Sequence, residues 1–163
     1  MKPAVKKWLP LGLFMAAVVA ADQITKHLVR AHIPYGGSVK LIPGVLRLTY
    51  VRNTGAAFSM LSGARWLFLI LVVVFFAVLA VLIRKKLLSK PAELWALAAI
   101  GGGALGNAID RAVTGEVTDM IEPLFVRFAV FNVADVFITC GAILLAVYLL
   151  FFEREKQEEK HRE

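Results

Sequence analysis

The chain has 163 residues, 59% of them hydrophobic, and a mean hydropathy of +0.71. Soluble domains carry about 45–50% apolar residues even with glycine counted, so an ordinary soluble domain is excluded, and disorder with it. The net charge of +7 lies at the edges of apolar runs, which suits anionic lipid headgroups better than nucleic acid.

Four stretches carry no charged side chain: Trp8 to Ala21, Trp66 to Ile83, Leu94 to Ile109 and Val136 to Phe152. A helix needs about 20 residues, roughly 17 at the least, to cross the hydrocarbon core. The first and third runs reach that length only if Asp22 and Asp110 occupy the last turns of their helices. The expected spans are therefore about 8–27, 65–83, 93–111 and 134–152. Trp8 and Trp66 open two runs, as interfacial anchors do. The N-terminus also admits a cleavable signal peptide, with Lys6-Lys7 ahead of an apolar stretch and Val19-Ala20-Ala21 at its end. Cleavage would discard a helix that flows without a break into Asp22 to Lys26.

Four spans put both termini on one side, with the loop 84–92 and the tail 153–163. That side holds eleven of the basic residues and the other holds eight, so the positive-inside rule places the termini in the cytoplasm. The connections 28–64 and 112–133 then lie outside. In the first of these, Pro34, Gly36-Gly37 and Pro43-Gly44 are turn signals. Leu46 to Val51 follows them and alternates, as a half-buried strand does. The fold expected is an all-α integral membrane protein: a single four-transmembrane-helix bundle with a small extracytoplasmic β-sheet between spans one and two. One cysteine excludes an intramolecular disulfide framework and a Cys-based zinc site. Cys140 reads as a small core residue. The mixed-charge tail reads as a solvated helix end.

The only aspartates are Asp22, Asp110, Asp119 and Asp135. Two end spans, one begins a span, and Asp119 lies in the loop between the last two. All four therefore face the same aqueous side, whichever way the chain is inserted. Ionisable groups near a membrane core are costly and are functional candidates. Asp22 precedes Lys26 at the helical ion-pair spacing. Asp110, at a helix C-terminus, is opposed by the macrodipole and needs an Arg or backbone-amide network. Asp119 with Glu122 fits the cap of a short helix, and Asp135 fits the N3 acid behind an Asn132 cap. Yet Asp119 and Asp135 are the two with no basic residue within four positions. If close, such a pair shares a proton, the arrangement of an aspartic protease.

Other chemistries find less support. His27, His32 and His161 form no ligand spacing and no HExxH is present, so no metal or other cofactor is expected. Ser59 or Ser62 lacks a GxSxG elbow. Gly102 and Gly106, inside a span, form a close helix-packing signature, with Asn107 as polar glue one turn before Arg111. A small proton-coupled exporter using Asp22 is the competing class, but it wants its carboxylate near the midplane.

Five segments in order carry a resemblance: DQITK at 22–26, NTGAAF at 53–58, GGALGNAIDR at 102–111, VTD at 117–119 and FNVAD at 131–135. Together, between four spans, they resemble the signal peptidase II family, the bacterial membrane aspartic proteases that process prolipoproteins. The resemblance implies a catalytic dyad at Asp119 and Asp135. Asn53, Asn107, Arg111, Asn132, Asp22 and Asp110 match positions that shape or support the site. It further implies a diacylglyceryl-modified prolipoprotein as substrate, cut just before the lipidated Cys at the outer face of the bacterial inner membrane. Asn53 and the strand before it would hold the substrate backbone extended, and the segment from Leu124 to Phe131 would close as a lid. The partners expected are this substrate and membrane lipid, with the protein a monomer that binds no nucleic acid. Two departures bear on the groove: Met120 stands where the family often has Phe, and the interval from Asp119 to Asp135 is somewhat short.

Overall fold

A computed structural model describes residues 3–55, 60–88 and 90–160. The elements run α1 (Pro3–His32), β1 (Ser38–Ile42), β2 (Leu46–Asn53), α2 (Arg65–Arg84), α3 (Pro91–Val113), β3 (Val117–Pro123) and α4 (Val133–Lys160). All four helices contain a stretch long and apolar enough to cross a membrane. Ser59, the end of the NTGAAF segment and the last residues of the tail lie outside the described residues.

α3 is the central helix. It buries thirteen side chains or glycines, from Glu93 to Arg111, whereas α2 buries none. Its glycines explain the difference, because they let neighbouring helices approach to backbone distance. A Cβ at Gly102 would lie 2.9 Å from Cβ of Val18 on α1, and one at Gly106 would lie 2.6 Å from Asp22 Oδ2. A Cβ at Gly103, on the adjacent face, would collide with the Ala134 carbonyl of α4. The packing signature in the sequence thus docks α1, while Gly103 docks α4. α1 continues without a break past Lys26 to His32, so the helix projects further than its apolar run.

The sheet is antiparallel with order β1-β2-β3. Its third strand comes from between α3 and α4, so the sheet is not confined to the connection between the first two helices. Leu46 to Val51 does form the expected strand, and its inward residues found their partners across the chain. Val29 and Ile33 of α1, Tyr50 of β2 and Met120 of β3 make one buried cluster, with Leu48 and Ile121 packed against it. This cluster fixes the sheet on the end of α1. β3 is consequently held where α3 ends and α4 begins.

Candidate active site

Side-chain alternation along β3 sends Asp119 and Met120 to opposite faces. Met120 enters the core cluster, so the departure from the family pattern lies beneath the sheet and not in the groove. Asp119, 2% exposed, faces a cavity of about 430 Å³ that Asp135 also lines. Asp119 does not cap a helix. It sits in a strand opposite Val51, and its supposed capping partner Glu122 is instead held bidentately by Arg47 at 2.6 and 2.7 Å.

Asp135 occupies the first turn of α4. Its Oδ2 accepts the Asn132 N–H at 3.1 Å, while Asn132 Oδ1 accepts the Asp135 N–H at 3.0 Å. This is the reciprocal cap expected from the spacing. The same Asn132 donates from Nδ2 to Asp119 Oδ1 at 2.7 Å and to Asn107 Oδ1 at 3.1 Å. Asn107 in turn donates to Asp135 Oδ1 at 2.8 Å, and Asn53 donates to Asp119 Oδ2 at 2.9 Å. Every carboxyl oxygen of the pair therefore accepts a hydrogen bond, and one residue, Asn132, touches both acids. Burial pushes the Asp119 carboxyl up to about 6 against the donors Asn53 and Asn132, with the neighbouring Asp135 charge raising it further and Lys26 lowering it. An acid poised there exchanges its proton near neutrality.

The other two aspartates form a separate buried cluster behind this pair. Lys26, fully buried, lies 2.8 Å from Asp22 Oδ2 and 3.2 Å from Asp110 Oδ2. Asp22 Oδ1 also accepts the N–H of Ala134, tying α1 to the start of α4. Asp110 has both kinds of partner its helix end demands: the N–H of Thr118 at 3.1 Å and, at 3.8 Å, Arg30. Gln23 spans the cluster, reaching Asp22, the Gly106 carbonyl and Asp110. Gln23, Lys26 and Thr118 were not singled out from the sequence as site residues, although all three lie inside the segments that carry the resemblance. For Gln23 and Lys26, a polar residue at the end of an apolar helix was the available signal.

Arg111 lines the cavity and donates to the Gly55 carbonyl at 2.6 Å. Its guanidinium stacks 4.3 Å from the Phe68 ring centre. Two expectations are corrected. Cys140 is exposed and lines the cavity, because the buried face of α4 is the one carrying Ala134 and Gly141. β2 is the middle strand, flanked by β1 and β3, so it cannot take an added substrate strand along Leu46 to Thr49. Asn53 donates to Asp119 and accepts the Gly55 N–H, so it holds the acid at the cavity. Ser62 shares its hydroxyl hydrogen bond with Thr54. Among the described residues, no three His, Cys, Asp or Glu side chains gather as a metal site.

The family model for signal peptidase (SPase) II matches residues 14–151. A lipoprotein signal peptidase of Lactococcus lactis subsp. lactis is 41% identical over 148 residues, covering 89% of this chain and 95% of that protein. Those of Brevibacillus brevis and Geobacillus kaustophilus are 43% and 44% identical over 142 residues, covering 84% of this chain and 93% and 90% of theirs. A bacterial membrane enzyme solved by the in meso method at 2.3 Å superposes with a TM-score of 0.82 at 36% identity, covering 86% of this chain and 87% of that one.

Proposed function

The chain belongs to the signal peptidase II family, and we propose that Asp119 and Asp135 are the catalytic pair with which it removes signal peptides from bacterial prolipoproteins. The observation that carries this is two carboxyls on one cavity, Asp119 buried and Asp135 half-buried, joined through Asn132. One, as general base, takes a proton from an attacking water. The other, protonated, polarises the scissile carbonyl and then gives its proton to the leaving amine. The roles need opposite protonation states, and two acids sharing one cavity and one asparagine supply them because both cannot easily ionise together.

The substrate is a prolipoprotein whose lipobox Cys carries diacylglycerol, and the cut falls just before that Cys. Beyond the acids the cavity is walled by Val136, Ile138, Thr139 and Cys140 of α4, a mostly apolar path along which acyl chains can remain in the bilayer. Phe128 to Phe131 form another wall, which supports the segment 124–131 as a lid; if shortening or stiffening it left turnover unchanged, that role would fail. Both termini lie in the cytoplasm by the charge of their loops. The site and the sheet then lie at the outer face of the inner membrane, and the working unit is a monomer in contact with lipid. Transport through Asp22 is not favoured, since that carboxylate is fully buried and committed to Lys26 and the Ala134 N–H.

The test uses purified protein in detergent micelles with a diacylglyceryl-modified prolipoprotein and its unlipidated twin, read by gel shift. Cleavage of the lipidated form alone, lost in Asp119→Asn and in Asp135→Asn, is the expected result. Near-normal turnover by either variant would sink the assignment.

A further inference from the structure

We infer that Lys26 is a positioning residue for the acid pair: its buried ammonium sets the orientation of the Asn107 amide, on whose oxygen Asn132 also donates. The inference rests on the catalytic reading of Asp119 and Asp135 and adds a third charged group to that site.

Lys26 has no exposed surface, so its ammonium must find its partners inside the protein. An ammonium has three N–H groups and no acceptor. The three acceptors present are Asp22 Oδ2 at 2.8 Å, Asp110 Oδ2 at 3.2 Å and Asn107 Oδ1 at 2.9 Å. The two carboxylates come from the i−4 position and from α3, and they balance the charge with Arg30 nearby. The third acceptor is the one that matters for chemistry. Rotating the Asn107 amide by half a turn would set its NH₂ against the ammonium and leave a buried cation short of an acceptor, a costly state. Its Oδ1 is therefore committed to Lys26, and its Nδ2 must point the other way, to Asp135 Oδ1.

The same Oδ1 also accepts from Asn132 Nδ2, which aligns that amide so that its NH₂ also reaches Asp119 Oδ1. One of the two donors to each acid thus belongs to an amide in contact with the oxygen this ammonium holds. A neutral residue at 26 would free the Asn107 amide to turn and would take from Asn132 Nδ2 the oxygen it shares with the ammonium, while the Asp135 N–H still holds Asn132 Oδ1. Asp135 would then meet the Asn107 oxygen for part of the time, which favours the protonated acid over the carboxylate. Loss of the nearby positive charge acts in the same direction. The charged groups facing this unit are Asp22 and Arg30 from α1, Asp110 and Arg111 from α3, Asp119 from β3 and Asp135 from α4.

The experiment compares wild type, Lys26→Met and the charge-balanced Lys26→Met with Asp22→Asn, in which an Asn oxygen can still accept the Ala134 N–H. Thermal unfolding in micelles is read first, then kcat and KM against pH on the lipidated prolipoprotein. The expected result for the double variant is a folded protein with kcat lowered about 10- to 100-fold, KM changed less than about threefold, and an acid limb moved upward by about one pH unit. Lys26→Met alone should show a larger shift in the same direction where it folds, because its lost charge is not balanced. A double variant with the wild-type kcat and pH profile would overturn the inference. So would one that fails to fold, since Lys26 would then belong to the fold and not to the site. The underlying catalytic reading fails separately, if wild type does not cleave or Asp119→Asn does.

Discussion

Replacing Asp119 by Asn should abolish cleavage and yet stabilise the protein above neutrality. At about 1.36 kcal/mol per pH unit, the difference between the ordinary carboxyl value of 3.8 and about 6 amounts to about 3 kcal/mol. Asp119 is 2% exposed, so solvent screening takes little from this figure. The sign follows from linkage. An acid whose value is raised on folding contributes its stability fully below the unfolded value near 3.8, and that stability is lost as pH rises through about 6. A little over 2 kcal/mol of the change falls between about pH 4 and pH 8. Asn at 119 does not titrate, but its NH₂ must face a donor, because Asn53 and Asn132 both donate to the present carboxyl. That mismatch costs about 1–2 kcal/mol at every pH. The variant should therefore be less stable than wild type at pH 4 and more stable at pH 8. The expected gain at pH 8 is about 1–2 kcal/mol, or about 2–8 °C in Tm for a chain of this length. Thermal unfolding in micelles, followed by tryptophan fluorescence across that pH range, measures it. A stability difference that keeps one sign and size from pH 4 to pH 8 would refute the reasoning.

Gly103→Ala should destabilise by about 1–3 kcal/mol, because its Cβ meets the Ala134 carbonyl and lies 2.7 Å from Ile138 Cγ1; an unchanged Tm would contradict the close contact of α3 and α4. Asn132→Ala removes a donor to Asp119 and the side-chain cap on the Asp135 N–H, leaving only its backbone donor to Asp135, so kcat should fall about 100-fold or more in steady-state cleavage assays. Cys140→Ala should leave both Tm and turnover close to wild type, whereas Cys140→Trp should raise KM for the lipidated substrate severalfold by filling the cavity wall; equal KM values would remove Cys140 from the substrate path. Activity should survive a chelator, and its loss on EDTA with recovery on added metal would refute an all-carboxyl mechanism.

What the chain determined by itself was whatever acts over a few residues. Apolar runs of membrane length marked the four helices, because burial in lipid demands an unbroken apolar surface. Counting helices from one end to the other placed the four aspartates on one side without knowledge of any contact. The Asn132–Asp135 cap and the Asp22–Lys26 ion pair were legible because partners three or four residues apart meet on any helix. The resemblance supplied the rest of the site by position, though not the geometry by which those residues act. Only the tertiary structure decided matters that join distant segments. It made Asp119 a strand residue, since β3 pairs with β2, many residues earlier in the chain. It brought Asn53 of β2 to Asp119 of β3, 66 residues apart in the chain. It gave Lys26 a third acceptor on α3, which no i,i+4 rule can reveal. Cys140 looked like core because its neighbours are apolar, but in a membrane bundle the apolar surface faces lipid as readily as protein. Which side of α4 is buried was settled by where glycine and alanine let α3 come close.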